Sequence, residues 1–375
     1  MSSSSSLLLY LGGLGLTVLF LFIIEVQKKL DMFDRPVYFE GENFCIRRSL
    51  ICAILAFVPL WYLMAFRGIG VGSDTIGTYY RYYKYSIRDY PISAFGSEFG
   101  YYVLNKAITL FASSYHVVLI VVSSIIWFLY FKYICKNSVS PCLSMIVFFL
   151  TFFYFRQYNG VRQLLAEAII LQGFRYIYER KFIKYCLVIA LAFTFHNTAI
   201  FLLPVYFLYK IRLTPKMAGI IIVLGKFGTS FVINNVLPYL LKGTKYYRMI
   251  YDIRAYKGGY WISDIVVSGT VLLFCLIVLG YDNDIRMSFN SWLILISFLL
   301  AINSNMIPMV GRLLWYSNIN LMVCVPLLIS KYPKKLDKAL VFCMTMLVFG
   351  MYFYQQWTLG VDSVQHYVFW GENMQ

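Results

Sequence analysis

The stretch FIKYCLVIALAFTFHNTAIFLLPVYFLY, residues 182–209, decides the fold, because it fits either one membrane crossing or two. It is longer than the roughly 20 apolar residues with which a helix crosses a bilayer core. The polar pair His196 and Asn197 stands at its middle. Two short helices meeting there would each be about 20 Å long, at a rise of about 1.5 Å per residue. The number of crossings therefore depends on whether the chain turns back near His196.

The basic loops favour two crossings. Lysines and arginines follow the first, third and fifth apolar stretches on one side, which the positive-inside rule makes cytoplasmic. With a single crossing over 182–209, the basic loops 210–212 and 331–338 would both face outward against that rule. Two crossings return both loops to the cytoplasm, and short helices are tolerated through bilayer thinning or burial. We therefore predict a broken helix hairpin near His196, with both termini outside.

The composition as a whole is that of a membrane protein. Of the 375 residues, 60% are AVILMFWYC and 13% are charged, and the mean hydropathy is +0.69. These values exclude an ordinary soluble protein. They predict an all-α polytopic protein, a single integral membrane domain over 1–375 with about 11–12 transmembrane segments. The net charge of +16 is explained by loop sidedness, so nucleic acid is not a predicted partner.

Ten further apolar stretches are the predicted spans: 7–25, 49–66, 115–134, 139–155, 161–178, 217–241, 263–281, 289–306, 313–330 and 338–354. The first follows MSSSSS without a basic region or a cleavage signature, so we expect a retained helix rather than a signal peptide. This topology leaves two outer loops, 67–114 with amphipathic helices and 242–263.

Several chemical signals are missing from the sequence. It has no Walker A loop, no GxGxxG before a helix, and no HExxH, EF-hand or GxSxG. The eight cysteines lack CxxC and zinc spacings, so we expect them to be small membrane-core hydrophobes. No metal or cofactor is predicted.

Arginines on the predicted outer face disobey the charge rule, so we expect a ligand or partner to hold them there. Arg162 opens a helix in NGVRQLLAEAIILQGFRY, with Gln163 beside it and Glu167 about one turn deeper. A guanidinium is a planar fork that binds phosphate with two hydrogen bonds. A structural contact with Glu167, or snorkelling to lipid headgroups, is the alternative.

Arg312 begins another helix in NSNMIPMVGRLLWYSNINLMV, where unpaired N–H groups suit an anion. Snorkelling is again the alternative. The loop KGTKYYRMIYDIRAYKGGYW adds Arg248 and Arg254 among tyrosines, a pattern that suits an interfacial aromatic belt equally well.

His196 is one of three histidines, and imidazole accepts a hydroxyl proton readily near neutral pH. Its structural alternative is a satisfied buried polar group. A helix break at membrane depth is tolerated chiefly where it lines a cavity or is buried in protein.

Two acids stand in the tyrosine-rich loop, Asp74 in VGSDTIGTYYRYYKY and Glu98 in FGSEFGYYVLNK. They are candidates to accept sugar hydroxyls or to act as a base, and the faces of Tyr79 and Tyr80 are candidates to stack on sugar rings. Solvated loop acids are the alternative.

Five motifs, in this order over about 72–320, resemble the EpsG family of Wzy-type O-antigen and exopolysaccharide polymerases: GSDTIGTYYRYY, EFGYYVLNK, VRQLLAEAI, FHNTAIFLLPVYF and GRLLWYSNI. The resemblance implies a GT-C-like glycosyltransferase of the bacterial inner membrane, with its active site on the periplasmic side. It would transfer a growing glycan from undecaprenyl pyrophosphate to a new lipid-linked repeat unit in lipopolysaccharide or exopolysaccharide synthesis. A chain-length regulator is a conceivable partner, and no metal or nucleotide sugar is implied.

By the same resemblance, Arg162, Arg312 and His196 match positions expected to matter, with Glu98 as an alternative base. The expected substrate-binding residues are Asp74, Gln163, Arg156, Arg248, Arg254, Tyr79 and Tyr80. Phe99 stands where some family members carry proline, which leaves the local turn open. An O-antigen ligase, a flippase or transporter of lipid-linked sugars, and an inert scaffold are the rival functions.

Overall fold

The computed structural model describes residues 1–29, 36–38, 45–236, 238–239, 242–243, 262–306 and 310–371. Helices dominate them, beside two antiparallel strands, β1 (Pro36–Tyr38) and β2 (Cys45–Arg47). The predicted all-α polytopic class is confirmed. The chain divides into two compact units, unit 1 (Met1–Ile200 and Phe353–Gln375) and unit 2 (Phe201–Tyr352).

Unit 1 holds the first nine α-helices, which are α1 Ser3–Lys29, α2 Arg48–Ala65, α3 Tyr80–Ile87, α4 Phe99–Thr109, α5 Tyr115–Asn137, α6 Pro141–Leu150, α7 Phe153–Arg156, α8 Val161–Tyr178 and α9 Phe182–Phe195. A π-helical turn, Thr75–Tyr79, precedes α3, and a 3-10 turn, Ile92–Glu98, precedes α4. The region 67–114 thus contains short helices, and its place as an outer loop stays a prediction.

Unit 2 continues with α10 Val205–Leu208, α11 Pro215–Phe231, α12 Ile262–Leu279, α13 Ile285–Ile302, α14 Val310–Asn318 and α15 Leu321–Lys331. The last helix, α16 (Lys335–Thr358), begins in unit 2 and ends in unit 1. Further turns are 3-10 (Asn197–Leu202 and Val361–Ser363) or π-helical (Val232–Val236).

The described residues include six helices long and apolar enough to cross a membrane, and a seventh span if α14 and α15, bent by 45°, are counted together. Four shorter apolar helices accompany them: Leu50–Ala65, Pro141–Leu150, Phe182–Phe195 and Asn197–Leu208. The total of 11–12 crossings stays a prediction. The expected helix over 139–155 is interrupted, because Phe152 adopts a left-handed conformation at φ +67° and ends the helical ladder of α6.

The predicted break near His196 is confirmed. The backbone N–H of His196 closes α9 on the carbonyl of Ala192 at 3.0 Å. His196 itself is extended, at φ −154° and ψ 122°. The turn that follows starts with the Ala199 N–H donating to the His196 carbonyl at 3.1 Å. His196 is therefore held between two helical segments rather than inside one.

The start of the tyrosine-rich loop is fixed against the turn before α8. A Cβ added at Gly72, which has φ +97°, would lie 2.6 Å from the Tyr158 carbonyl oxygen, so only glycine fits there. Asn159 Oδ1 then accepts from the Ser73 hydroxyl at 2.9 Å and from the Asp74 N–H at 2.7 Å. These contacts hold the loop over the beginning of α8, where Arg162 stands.

Candidate functional site

Glu98, Arg162 and His196 meet in unit 1 and are called here the Glu98 cluster. Glu98 ends the 3-10 turn before α4, Arg162 is the second residue of α8, and His196 follows α9. A Cβ at Gly100 would lie 2.4 Å from Thr194 Oγ1, so glycine permits the close approach of α4 to α9. That approach brings Glu98 to the helix break.

The Glu98 carboxylate bridges the other two groups. Its Oε2 lies 2.8 Å from Arg162 Nη1. Its Oε1 lies 2.9 Å from His196 Nδ1 and accepts from the Asn197 backbone N–H at 2.9 Å. Ser97 Oγ donates to Asn197 Oδ1 at 2.7 Å and ties the turn to the break a second time. Three chain segments are therefore joined at one carboxylate.

Glu98 is held in its charged form. Burial raises the pKa of this carboxyl, but contacts with His196, the Asn197 N–H and Arg162 outweigh burial and lower the pKa to about 2. The carboxylate is consequently ionised at neutral pH and stabilises positive charge on either side of it.

Three buried atoms of the cluster have no hydrogen-bond partner among the described residues, namely Arg162 Nε, His196 Nδ1 and His196 Nε2, although Nδ1 lies at ion-pair distance from Glu98. Arg162 uses Nη1 for its contacts, with Glu98 and with the Tyr82 hydroxyl at 2.7 Å. His196 is only 5% exposed, and its Nδ1 lies 2.9 Å from Glu98 Oε1. Buried polar atoms are nearly always paired, so the unsatisfied atoms of this cluster are candidates for contact with a ligand.

The tyrosines of the loop differ in burial and in their contacts with Arg162, and their predicted role in sugar binding stays a prediction. Tyr79 is buried, and its hydroxyl accepts from the Arg162 backbone N–H at 3.4 Å. Burial raises the pKa of Tyr79 to about 12, although the positive charge of Arg162 acts to lower it. Tyr80 packs on Tyr83 and Tyr115 instead of facing Arg162. The ring beside the Arg162 guanidinium is Tyr82, at 5.0 Å. Tyr82 lies three residues after Tyr79, and residues at this spacing on a helix are neighbours, so the sequence could have identified Tyr82.

Three other predicted residues lie outside the Glu98 cluster. Gln163 is buried and donates through Nε2 to Glu167 Oε1 at 2.9 Å. The acid that Arg162 contacts is thus Glu98, and Glu167 is engaged by Gln163. Arg156 is buried with its guanidinium 4.9 Å from the Phe153 ring centroid. Asp74 is exposed at the start of the π-helical turn.

Arg312 belongs to unit 2, where it is the exposed third residue of α14. Its place near a helix N-terminus agrees with the sequence expectation, and its functional role stays a prediction. Arg248 and Arg254 lie outside the described residues. In the described part of the chain, no three or more His, Cys, Asp or Glu side chains gather as a metal site would require.

Comparison with known proteins gives one match. The model of the EpsG family matches residues 50–369, which is most of the chain and includes all members of the Glu98 cluster. No curated protein and no solved structure matches the chain.

Proposed function

This chain belongs to the EpsG family, a family of polysaccharide biosynthesis, and we propose that it polymerises lipid-linked repeat units at the periplasmic face of the inner membrane. The bond between the anomeric carbon of the growing glycan and undecaprenyl pyrophosphate breaks. A new glycosidic bond forms to a hydroxyl of the terminal sugar on the next repeat unit. The proton of that hydroxyl moves to a protein base, and undecaprenyl pyrophosphate leaves.

The observation that carries the proposal is that one carboxylate holds a cation and an imidazole, each with a buried atom left over. Arg162 Nε is a buried donor without a partner among the described residues. A pyrophosphate oxygen would complete its hydrogen bonding, and a preorganised donor stabilises the charge that grows on a leaving group.

His196 supplies the matching acceptor. A carboxylate beside Nδ1 favours the tautomer with its proton on Nδ1, which leaves the Nε2 lone pair for the proton of the attacking hydroxyl. Glu98 is then the positioning residue and His196 the base. The developing imidazolium is stabilised by the charged carboxylate, whose pKa is lowered to about 2.

The remaining predicted residues keep secondary roles in this proposal. Arg312 is a second candidate for the pyrophosphate, and Asp74, exposed beside the loop, is a candidate for sugar hydroxyls. A ligase would use the same chemistry with lipid A as acceptor, so an acceptor assay with purified lipid-linked repeats distinguishes the two enzymes. A flippase would move the same lipid without forming a glycosidic bond.

The direct test replaces Arg162 with Ala in cells that lack their own copy of the gene. We expect the long-chain polysaccharide ladder to collapse to single repeats while the protein still inserts at normal abundance. Arg175→Ala is the matched control, because Arg175 lies on the same helix, is exposed and has its guanidinium against the ring and hydroxyl of Tyr176. An unchanged ladder for Arg162→Ala rejects the pyrophosphate role.

A further inference from the structure

Helix α3 carries three cations on one face. At 3.6 residues per turn, Arg81, Lys84 and Arg88, the last being its C-terminal cap, align on one side, and all three are exposed. These three residues are called here the basic stripe. In the described chain none of them lies at salt-bridge distance from a carboxylate, whereas the nearby Lys106 is paired with Asp89.

The neighbouring face of α3 packs on the start of a membrane span. The rings of Tyr80 and Tyr83 lie 5.1 and 5.6 Å from the ring of Tyr115, the first residue of the span Tyr115–Asn137. The Tyr83 hydroxyl also donates to the Ser113 carbonyl. Tyrosines at the end of a span are typical of the aromatic belt at the membrane surface, so α3 lies at that level.

Exposed apolar side chains stand beside the same span. Leu110 and Phe111 follow α4 and are 72% and 92% exposed, and Phe111 is four residues before Tyr115. Ile87, at the end of α3, is exposed as well. Side chains of this kind beside a span are stable when they enter the lipid boundary.

The third face of α3 holds Tyr82, which contacts Arg162. The helix therefore joins the Glu98 cluster on one side to the edge of the bilayer on another. Lys84 Nζ lies 4.6 Å from the centroid of Tyr80, so the ammonium stays at the border between the aromatic face and the stripe.

We propose that α3 is an interfacial helix whose basic stripe binds the phosphates of anionic phospholipid headgroups. Cations that border an aromatic and apolar face at the end of a span lie at the depth where lipid phosphates lie. An acidic glycan would meet the same charges but would not account for the exposed Leu110 and Phe111. The inference does not depend on the polymerase reaction.

The test places a photo-crosslinking amino acid at Ile87 and reconstitutes the full chain in nanodiscs with equal amounts of phosphatidylcholine and phosphatidylglycerol. We expect phosphatidylglycerol to crosslink in about fivefold excess at low salt, with the excess falling as salt rises. The combined change Arg81→Gln, Lys84→Gln and Arg88→Gln should abolish the excess, and Arg81→Lys with Arg88→Lys should keep it.

A charge-matched control removes three exposed cations of unit 2, Lys216, Lys334 and Lys335, by change to Gln. It should leave the crosslinking ratio at Ile87 unchanged. Equal crosslinking of both lipids, an excess that survives in the Gln variant, or crosslinks mainly to a second copy of the protein would each overturn the proposal. The readout needs no turnover, so an inactive polymerase does not affect it.

Discussion

Two clusters of charged side chains in this molecule both pair a cation with carboxylate oxygens. They differ in whether their polar atoms all have partners. In unit 2, the Lys331 cluster consists of Lys331, Asp282 and Asp284, with Lys331 Nζ 2.9 Å from a carboxylate oxygen of each acid. Asp282 also accepts from the Asp284 N–H at 2.7 Å, and Asp284 caps α13 through the Arg286 N–H at 2.8 Å. Every member is engaged. The Glu98 cluster leaves Arg162 Nε and His196 Nε2 without partners. Charge alone therefore does not distinguish the two clusters, whereas the unsatisfied atoms do.

The strongest test of this difference is His196→Ala. Removing a general base lowers a rate by about 10²–10⁴-fold, and we expect a loss in that range at saturating lipid-linked repeats. The protein should fold, because the Ala192 and Ala199 hydrogen bonds at the break use only the backbone of His196. Turnover is measured with purified substrate in nanodiscs. Wild-type turnover would make His196 a structural residue and the two clusters equivalent.

A smaller loss is expected for Glu98→Gln. The amide keeps the shape of the carboxylate and one acceptor oxygen, but it cannot stabilise a developing imidazolium by charge. We expect kcat to fall by about tenfold, equivalent to about 1.4 kcal/mol of barrier, with the protein remaining folded. A loss as large as that of His196→Ala would instead identify Glu98 as the base.

Sequence reasoning expected Arg162 and His196 at one pocket and named Glu98 as a further candidate, but it did not predict that Glu98 bridges the other two. The break at His196 was predictable because loop charges obey a rule that acts along the whole chain. The bridge from Glu98 to Arg162 and His196 was not, because it spans 64 residues to Arg162 and depends on the close approach at Gly100. Neither hydropathy nor helical periodicity records such an approach.

The same limit explains one local error and one residue that was missed. The apolar stretch 139–155 has neither Gly nor Pro next to Phe152, so the left-handed turn there gives no signal in the sequence. The π-helical turn Thr75–Tyr79 ends at a buried Tyr79, and Tyr82 is the tyrosine beside the Arg162 guanidinium, while sugar binding by Tyr79 and Tyr80 stays a prediction. A π-helical turn changes which residues share a face, and the sequence pattern assumes the ordinary period.

In the Lys331 cluster, Lys331→Met should affect stability and leave the chemistry intact. Hydrogen bonds to charged groups contribute about 1.5–3 kcal/mol each, and the partial exposure of Lys331 lowers that, so we expect a loss of about 1–2 kcal/mol. The measurement is the thermal unfolding of purified protein in detergent, together with turnover per folded molecule. Lys335→Met, at an exposed neighbouring lysine, is the control. A loss of turnover without a loss of stability would show that the Lys331 cluster also serves the reaction.

The smallest expected effect is on the stability of the folded protein at acid pH, and it is confined to a defined pH range. The pKa of Glu98 is lowered from 4.5 to about 2, so its charge stabilises the folded protein fully above about pH 5 and this contribution disappears as the pH falls from 4.5 towards 2.

The pKa values of Asp282 and Asp284 are also lowered, because contacts with Lys331 and backbone N–H groups outweigh burial. Their acid sensitivity is the same in wild type and Glu98→Gln, and it cancels in the difference between the two. The difference in unfolding temperature between these proteins should therefore be constant from pH 8 to about pH 5 and shrink below pH 4.5. A difference that does not shrink as the pH falls below 4.5 would mean that Arg162 and His196 do not lower the pKa of Glu98, and the cluster would lose its positioning charge.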